Sequence, residues 1–362
     1  MTLGNTYTQL GEYADAARQL ERVRQLHQEH LPQEDPSAIR SMGSLGWLYI
    51  DQGRYQEAEP LLVRALEISE RVLGEEHPMT LGRMNELAVL YKEQGQHEKA
   101  EPLYLRAIEI MKRVLGEGHL NSLNTMHNLA ALYQEQGRYQ EAKELYHKVL
   151  EIKQRRFGED HPDTLRTMGN LGILYKKQGQ YEKAEAFYLK TLEIMKRVLG
   201  DEHLDTLGCM INLASLYCDH GQYQEAEPLF LKTVETTKRV LGEEHPDTLL
   251  SMNNLAILYY KQGRYQEAEP LLVKTLEIMG RVLGEKHPDT VKALKLLVSL
   301  YKAWGKPEEA QKWQAKLSEA KTEQAEAQVP KYVIAQENLN IPDELQTCAA
   351  NLQKIFIALN KY

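Results

Sequence analysis

Residues 241–278 read "LGEEHPDTLLSMNNLAILYYKQGRYQEAEPLLVKTLEI". Histidine, aspartate, glutamate, asparagine and tyrosine crowd this stretch as they would an active site. A catalytic centre occurs once in a chain, whereas a structural unit returns at a fixed interval. This stretch returns. Its turn glycine, Gly263, has equivalents at Gly11, Gly53, Gly95, Gly137, Gly179, Gly221 and Gly305, each 42 residues from the next. The tyrosine four residues earlier keeps the same step from Tyr7 and Tyr49 to Tyr259 and Tyr301, and so does the alanine five residues later, from Ala16 and Ala58 to Ala310.

Within one unit the apolar residues recur at helical spacing. Met252, Leu255, Ala256 and Tyr259 share one face before the glycine, and Ala268, Leu271, Leu272, Thr275, Leu276 and Met279 share one after it. Each unit is therefore a helical hairpin. Gly263 sits where the first helix must end, in a backbone region that costs glycine little, and Gly284 ends the second helix in the same way. "HPDT" opens the next unit, its proline placed where a helix has no use for the missing N–H and Asp247 at the positive helix end. Pro60, Pro102, Pro228 and Pro270 fall early in second helices, where one lost hydrogen bond and a slight bend are expected.

Ala256, Tyr259 and Ala268 match the small residue, tyrosine and alanine of the tetratricopeptide repeat, and the chain resembles that family. The 42-residue period with "LGEEHPDTL" and "NNLAILYYKQGRYQEAEPLL" resembles the kinesin-light-chain type of repeat, also found in nephrocystin-like proteins and many bacterial signalling proteins. The resemblance implies an all-α, right-handed superhelical solenoid of about eight hairpins with a concave inner groove. The expected array spans residues 1–320, with units near 1–31, 36–74, 78–116, 120–158, 162–200, 204–242, 246–284 and 288–320.

The first unit begins inside its first helix and reads as truncated. The last carries Lys295, Lys302, Lys306, Lys312 and Lys316 on a more solvated surface, as a terminal capping repeat requires. Residues 321–362 are expected to form a polar link and an amphipathic C-terminal helix. Leu345, Cys348, Ala349, Leu352, Ile355, Phe356 and Leu359 give that helix an apolar stripe. Three placements suit the stripe: a cap on the last hairpin, a segment folded into the groove or pairing with a second chain, or the start of a further domain.

The bulk properties exclude several classes. With 42% hydrophobic and 27% charged residues the chain reads as a soluble folded protein. A formal charge of −8 argues against a nucleic-acid partner held by a broad basic face. Cys209, Cys218 and Cys348 offer neither a disulfide framework nor a zinc set, which fits a reducing, cytoplasmic location. No long apolar run or signal-peptide pattern points to a membrane.

Catalysis and cofactors are likewise not expected. His77, His119, His161, His203, His245 and His287 come one per unit, about 10 Å apart in a helical stack. Zinc–nitrogen bonds are about 2 Å, so these histidines are expected to cap helices and no metal is assigned. The acidic pairs in "GEEHPDT" repeat with the unit and read as solvated loop charges. No phosphate-cradling loop, serine elbow or cysteine–histidine pair is present.

The site is instead expected on the first-helix surface, which in tetratricopeptide arrays lines the groove. With the core face at Met252, Leu255, Ala256 and Tyr259, positions equivalent to 250, 251, 253, 254, 257, 260 and 261 project away from the core. The 254 column carries Asn128, Asn170, Asn212 and Asn254 in four consecutive units, flanked by Ser44, Glu86 and Leu296. A carboxamide offers donor and acceptor together, matching a peptide backbone; the other reading is that these groups bond between neighbouring helices. In the resembling arrays asparagines here contact peptides.

Those seven columns hold ten basic residues (Arg40, Arg83, Lys92, Arg166, Lys176, Lys177, Lys261, Lys292, Lys295, Lys302) and five acidic ones (Asp51, Glu86, Glu93, Glu135, Asp219). A groove of +5 in a chain of −8 favours an acidic peptide. Trp47, Ile173, Ile257 and Tyr260 are candidate anchor-pocket residues. The expected function is a noncatalytic scaffold binding an extended acidic peptide or partner protein through Asn128, Asn170, Asn212, Asn254, Arg83, Arg166, Lys177, Lys261 and Tyr260. The alternative is the sensor or docking arm of a larger signalling enzyme (a kinase, nucleotide-binding switch or caspase-like peptidase), since bacterial arrays of this type are often joined to such domains. Self-assembly through the C-terminal helix is the third reading.

Overall fold

The computed structural model describes residues 20–22 and 34–328, with side chains as far as residue 320. Among the described residues there is no strand, and fourteen helices run in seven consecutive hairpins from Pro36. The hairpins are α1 (Pro36–Asp51) with α2 (Tyr55–Leu73), α3 (Pro78–Glu93) with α4 (His97–Val114), α5 (Leu120–Glu135) with α6 (Tyr139–Phe157), and α7 (Pro162–Lys177) with α8 (Tyr181–Val198). They continue with α9 (Leu204–Asp219) and α10 (Tyr223–Leu241), α11 (Pro246–Lys261) and α12 (Tyr265–Val282), and α13 (Pro288–Ala303) and α14 (Pro307–Gln328). Of the first unit only Leu20–Arg22 is described, and the expected C-terminal helix lies outside the described residues.

The first helices from α3 to α13 begin in one way. His77, His119, His161, His203, His245 and His287 are N-caps whose Nδ1 accepts the backbone N–H two residues on, at 3.1–3.2 Å. These N–H groups would otherwise have no intrahelical partner. The hydroxyls of Thr80, Ser122, Thr164, Thr206, Thr248 and Thr290 reach back to the carbonyl of the preceding inter-hairpin glycine at 2.8–3.2 Å. "HPDT" is thus a clamp between one hairpin and the next.

Each first helix ends at its glycine in a Schellman arrangement. Gly263 has φ of +74°, its N–H donates to the Tyr260 carbonyl at 3.0 Å, and the Arg264 N–H donates to the Tyr259 carbonyl at 2.9 Å. The recurring tyrosine also holds the neighbouring hairpin. Tyr133 donates to Glu101 at 3.1 Å, Tyr217 to Glu185 at 2.9 Å and Tyr301 to Glu269 at 2.6 Å, each glutamate lying on the preceding second helix. The guanidinium of the residue after the glycine covers the ring, with Arg138 3.8 Å from the Tyr133 centroid and Arg264 4.1 Å from that of Tyr259.

The core is continuous from hairpin to hairpin. Ala58, Ala100, Ala142, Ala184, Ala226 and Ala268 are fully buried, as are the side chains at the position four residues later, where Tyr104, Tyr146, Tyr188 and Phe230 are the largest. Gly172 shows how tight the fit is, since a Cβ there would lie 2.5 Å from the Tyr188 ring. The expected core faces are buried, with Leu271 half-buried. Second helices containing Pro60, Pro102, Pro228 and Pro270 run through without interruption.

Two expectations change. The loop acids are ion-paired to the second helix of the hairpin that follows them: Glu75 to Arg106, Glu76 to Arg113, Glu243 to Lys274 and Glu244 to Arg281. These pairs are exposed, so each adds little stability, but they fix the loop against its own hairpin. Helix α14 also continues to Gln328, eight residues past the expected end of the array at 320, because no glycine or proline interrupts Lys321–Gln328.

One core position breaks the repeat. Lys153 stands where Met111, Met195 and Met279 stand in other hairpins, and it is 2% exposed. Its ammonium reaches only the Asp163 carbonyl and the Thr167 hydroxyl, both at 3.3 Å, and burial pushes its pKa down. Lys153→Met should therefore stabilise the fold by about 1–3 kcal/mol at neutral pH, the range for relieving a poorly compensated buried polar group. A folded pKa below the unfolded one means the unfolded chain holds the extra proton, so this gain should shrink as pH approaches the ordinary lysine range. Urea unfolding of both chains at neutral and alkaline pH checks it; an unchanged midpoint would show that the two oxygens compensate the charge.

Candidate functional site

The asparagine column lies on α5, α7, α9 and α11, and all four side chains are half-buried. Asn128 and Asn170 each meet the position one residue earlier in the preceding hairpin, in a column that reads Asn85, His127, Gly169 and Ile211. That offset decides their roles. Asn128 donates to Asn85 Oδ1 at 3.1 Å, and the Asn170 carboxamide is within hydrogen-bond distance of His127 Nε2. The residue 43 positions before Asn212 is Gly169, which has no side chain, and the one 43 positions before Asn254 is Ile211, which has no polar side-chain atom. Among the described residues neither Asn212 nor Asn254 has a hydrogen-bond partner. Asn253 adds a buried Oδ1 that also lacks one.

The ladder therefore divides. Its first two rungs join neighbouring hairpins, and its last two present carboxamides with unused donors and acceptors. Beside them Gly169 and Gly208 leave open space, with no atom within 4 Å of where a Cβ would stand. Half-buried Ile173, Ile211 and Ile257 supply apolar surface along the same helices.

The charges are mostly paired within the protein. Six of the ten expected groove cations lie within salt-bridge distance of a carboxylate: Arg83, Lys92, Arg166, Lys176, Lys261 and Lys292. Lys176 and Lys261 grip Asp219 from both sides, at 2.7 and 2.5 Å. Burial works to raise the Asp219 carboxyl, but the two lysines outweigh it and hold it below its ordinary value. Lys302 reaches the Gln314 carboxamide. Arg40, Lys177 and Lys295 have no ion pair among the described residues.

Other candidates sit differently from expectation. Positions equivalent to 251 are buried, with Ser41, Thr125, Thr167, Cys209 and Ser251 all below 8% exposed. The first helix is enclosed by second helices on both sides, which removes that column from the groove. Arg83 occupies this column and escapes by lying over Gly43, where a Cβ would fall 1.1 Å from Nη1, to meet Glu86 at 2.8 Å. Burial raises Glu86 to about 7 despite Arg83, and Arg83 Nε and Nη1 and Glu86 Oε2 are buried without hydrogen-bond partners. Tyr260 sits at the end of α11 with its ring centroid 6.1 Å from that of Tyr265, in a series that continues to Trp304. Trp47 is 40% exposed. Among the described residues no group of three or more histidine, cysteine or acidic side chains forms a metal site. Among the described residues no helix is long and apolar enough to cross a membrane.

The His127 rung makes a pH prediction. Burial, with Lys153 and Arg166 nearby, lowers its pKa from 6.5 to about 4. Below pH 6.5 the unfolded chain takes up a proton that the folded chain refuses, so this contribution is complete above 6.5 and is lost as pH falls toward 4. The loss is on the order of 2–3 kcal/mol. His127→Asn recreates the Asn128–Asn85 rung one hairpin on and should flatten that decline while changing stability at pH 8 by less than about 1 kcal/mol. Denaturant titrations of both chains from pH 8 to 4 check it, and parallel curves would refute it.

Comparison with known proteins agrees with this architecture. The tetratricopeptide repeat model matches residues 1–71, 39–113, 81–155, 121–197, 174–235, 205–279 and 251–323, which together span most of the chain. No curated protein sequence matches. A solved kinesin-light-chain protein of Podosopora anserina, built of nearly identical TPR-like repeats, is 32% identical over 57% of this chain and 98% of its own, with a TM-score of 0.48. The Rap protein solved with Competence and Sporulation Factor is 15% identical over 88% of this chain and 82% of its own, with a TM-score of 0.64. NprR solved with its cognate peptide NprX is 18% identical over 88% and 85%, with a TM-score of 0.60. At such identities the last two share the fold. Period, caps, hairpin turns and repeat matches agree, and the chain belongs to the tetratricopeptide repeat family as a protein of the kinesin-light-chain-like type.

Proposed function

We propose that this chain is a noncatalytic scaffold that holds an extended acidic segment of a partner protein along its first helices, with Asn212 and Asn254 meeting the segment's backbone. The observation that carries this is the division of the ladder. Two carboxamides are used up between hairpins, while two on α9 and α11 keep unused hydrogen-bonding groups beside the gaps at Gly169 and Gly208. Partly buried amide groups without partners gain from a ligand that supplies N–H and C=O groups in alternation.

Acidic preference rests on the cations left over after internal pairing. Lys177, at the end of α7, and Lys295, on α13, flank the two free rungs and are exposed. Ile173 and Ile257 give a place for an apolar or aromatic anchor between them. The fold is put to such a use in NprR, solved with its cognate peptide, and a peptide role for this chain is consistent with that likeness.

Asn212→Ala with Asn254→Ala should weaken binding of acidic, aromatic-containing peptides at least tenfold, about 1.4 kcal/mol, and leave the melting temperature in place. Asn128→Ala with Asn170→Ala should do the reverse, lowering stability by about 1 kcal/mol per rung while peptide affinity holds. Fluorescence anisotropy against a labelled acidic peptide set and thermal melts read both quantities. Affinity unmoved by the first pair would refute the backbone-reading role. Binding should also weaken as salt rises, and indifference to salt would remove the acidic preference.

A further inference from the structure

We propose that the hairpin array closes on itself at a seam between residues 51–55 and 287–289, so that the trough admits a linear segment entering from an end and excludes the same segment held inside a folded protein. The second clause rests on the reading of the trough as a peptide receptor. The first does not.

The seam joins residues 236 apart in sequence, where His287 Nε2 lies 3.1 Å from the Asp51 carbonyl. Because His287 Nδ1 accepts the Asp289 N–H, Nε2 carries the ring proton and donates it to Asp51. That carbonyl belongs to the last turn of α1, which has acceptors unused within its own helix. The five equivalent histidines make the same cap but have no partner for Nε2 among the described residues.

A second contact marks the same place. A Cβ on Gly53 would lie 2.6 Å from Pro288 Cδ, whereas the corresponding turn glycines Gly95, Gly137, Gly179, Gly221, Gly263 and Gly305 have nothing within 4 Å. Among the described residues only this hairpin turn is covered. Tyr55, next along, is pushed up to about 12 by burial and by the charges of Glu93 and Asp289, which places the α13 carboxylate near the start of α2.

A stack whose first and seventh described hairpins touch has completed a turn in six steps. The inner faces of the helices between them, α9 and α11 included, then lie behind a continuous wall. A chain with a free end passes along such a trough, while a loop anchored at both ends in a globular domain cannot without parting the wall. The contact is one neutral hydrogen bond and one proline–glycine touch, so a single substitution should part it.

Gly53→Asn tests this, since asparagine tolerates the positive φ of this turn but its side chain must displace Pro288; Gly95→Asn, at φ +72° with open space, is the control. Spin labels on Gln56→Cys and Lys292→Cys in a Cys348→Ser background should give a short, narrow distance distribution, broadened by Gly53→Asn and unchanged by Gly95→Asn. A long or broad distribution in the parent chain overturns the seam. An acidic, tryptophan-containing peptide selected from a library on the parent chain should bind at least tenfold better free than grafted into a loop of a folded carrier, with the gap narrowing in Gly53→Asn. Equal affinity for both forms, with a short label distance, overturns the exclusion. Failure of every library peptide to bind, with the distance short, removes the receptor reading and the exclusion with it while the seam stands.

Discussion

The tyrosine four residues ahead of each hairpin-turn glycine ties three levels of this structure together. Its carbonyl accepts the N–H of the residue after the glycine and closes the helix end. In several hairpins its ring lies under that residue's cation, and its hydroxyl reaches a glutamate on the preceding second helix. The turn and the docking of neighbouring hairpins are therefore set by one side chain. Where the glutamate is replaced by Lys143, Tyr175 finds His147 Nε2 at 3.0 Å instead, so the tie survives a change of partner. No hairpin here buries its apolar faces alone, and register between hairpins is a condition of having a core at all.

Register in turn decides which side chains have partners. Asn128 and Asn170 each meet the position one earlier in the preceding hairpin, and a small change there alters the chemistry of the rung. Asn85 and His127 complete a hydrogen bond; Gly169 and Ile211 leave one open. Departures from the consensus are thus more informative than the consensus. Lys153 among methionines, and Arg83 among serines and threonines with Gly43 opposite, are the same kind of departure, and each carries buried polar groups that the array's own geometry satisfies poorly.

The hairpins, caps and period were legible in the sequence because each is written within one 42-residue unit. Histidine before proline, glycine after a run of helix formers and apolar residues at helical spacing all act locally. The candidate site was legible only in part. That positions equivalent to 251 are enclosed follows from the first helix lying between two second helices, and helical spacing within one unit does not contain that information. The loop acids read as solvated because their partners, Arg106 and Lys274 for instance, stand 31 residues away in another helix. The division of the asparagines was present in the letters of the neighbouring column, but reading it needs the one-residue offset that packing supplies.

The same regularity bears on how the array comes round to itself. The seven turn glycines from Gly53 to Gly305 stand at an unbroken interval, and each of the six steps between the described hairpins is clamped by a histidine and a hydroxyl in the same way. Equal steps accumulate equal rotations, so the meeting of His287 with Asp51 is a property of all six steps together and not of the two residues that touch. An insertion in any one inter-hairpin loop would change one rotation and misplace the far edge of the trough, even with every local contact at the seam intact.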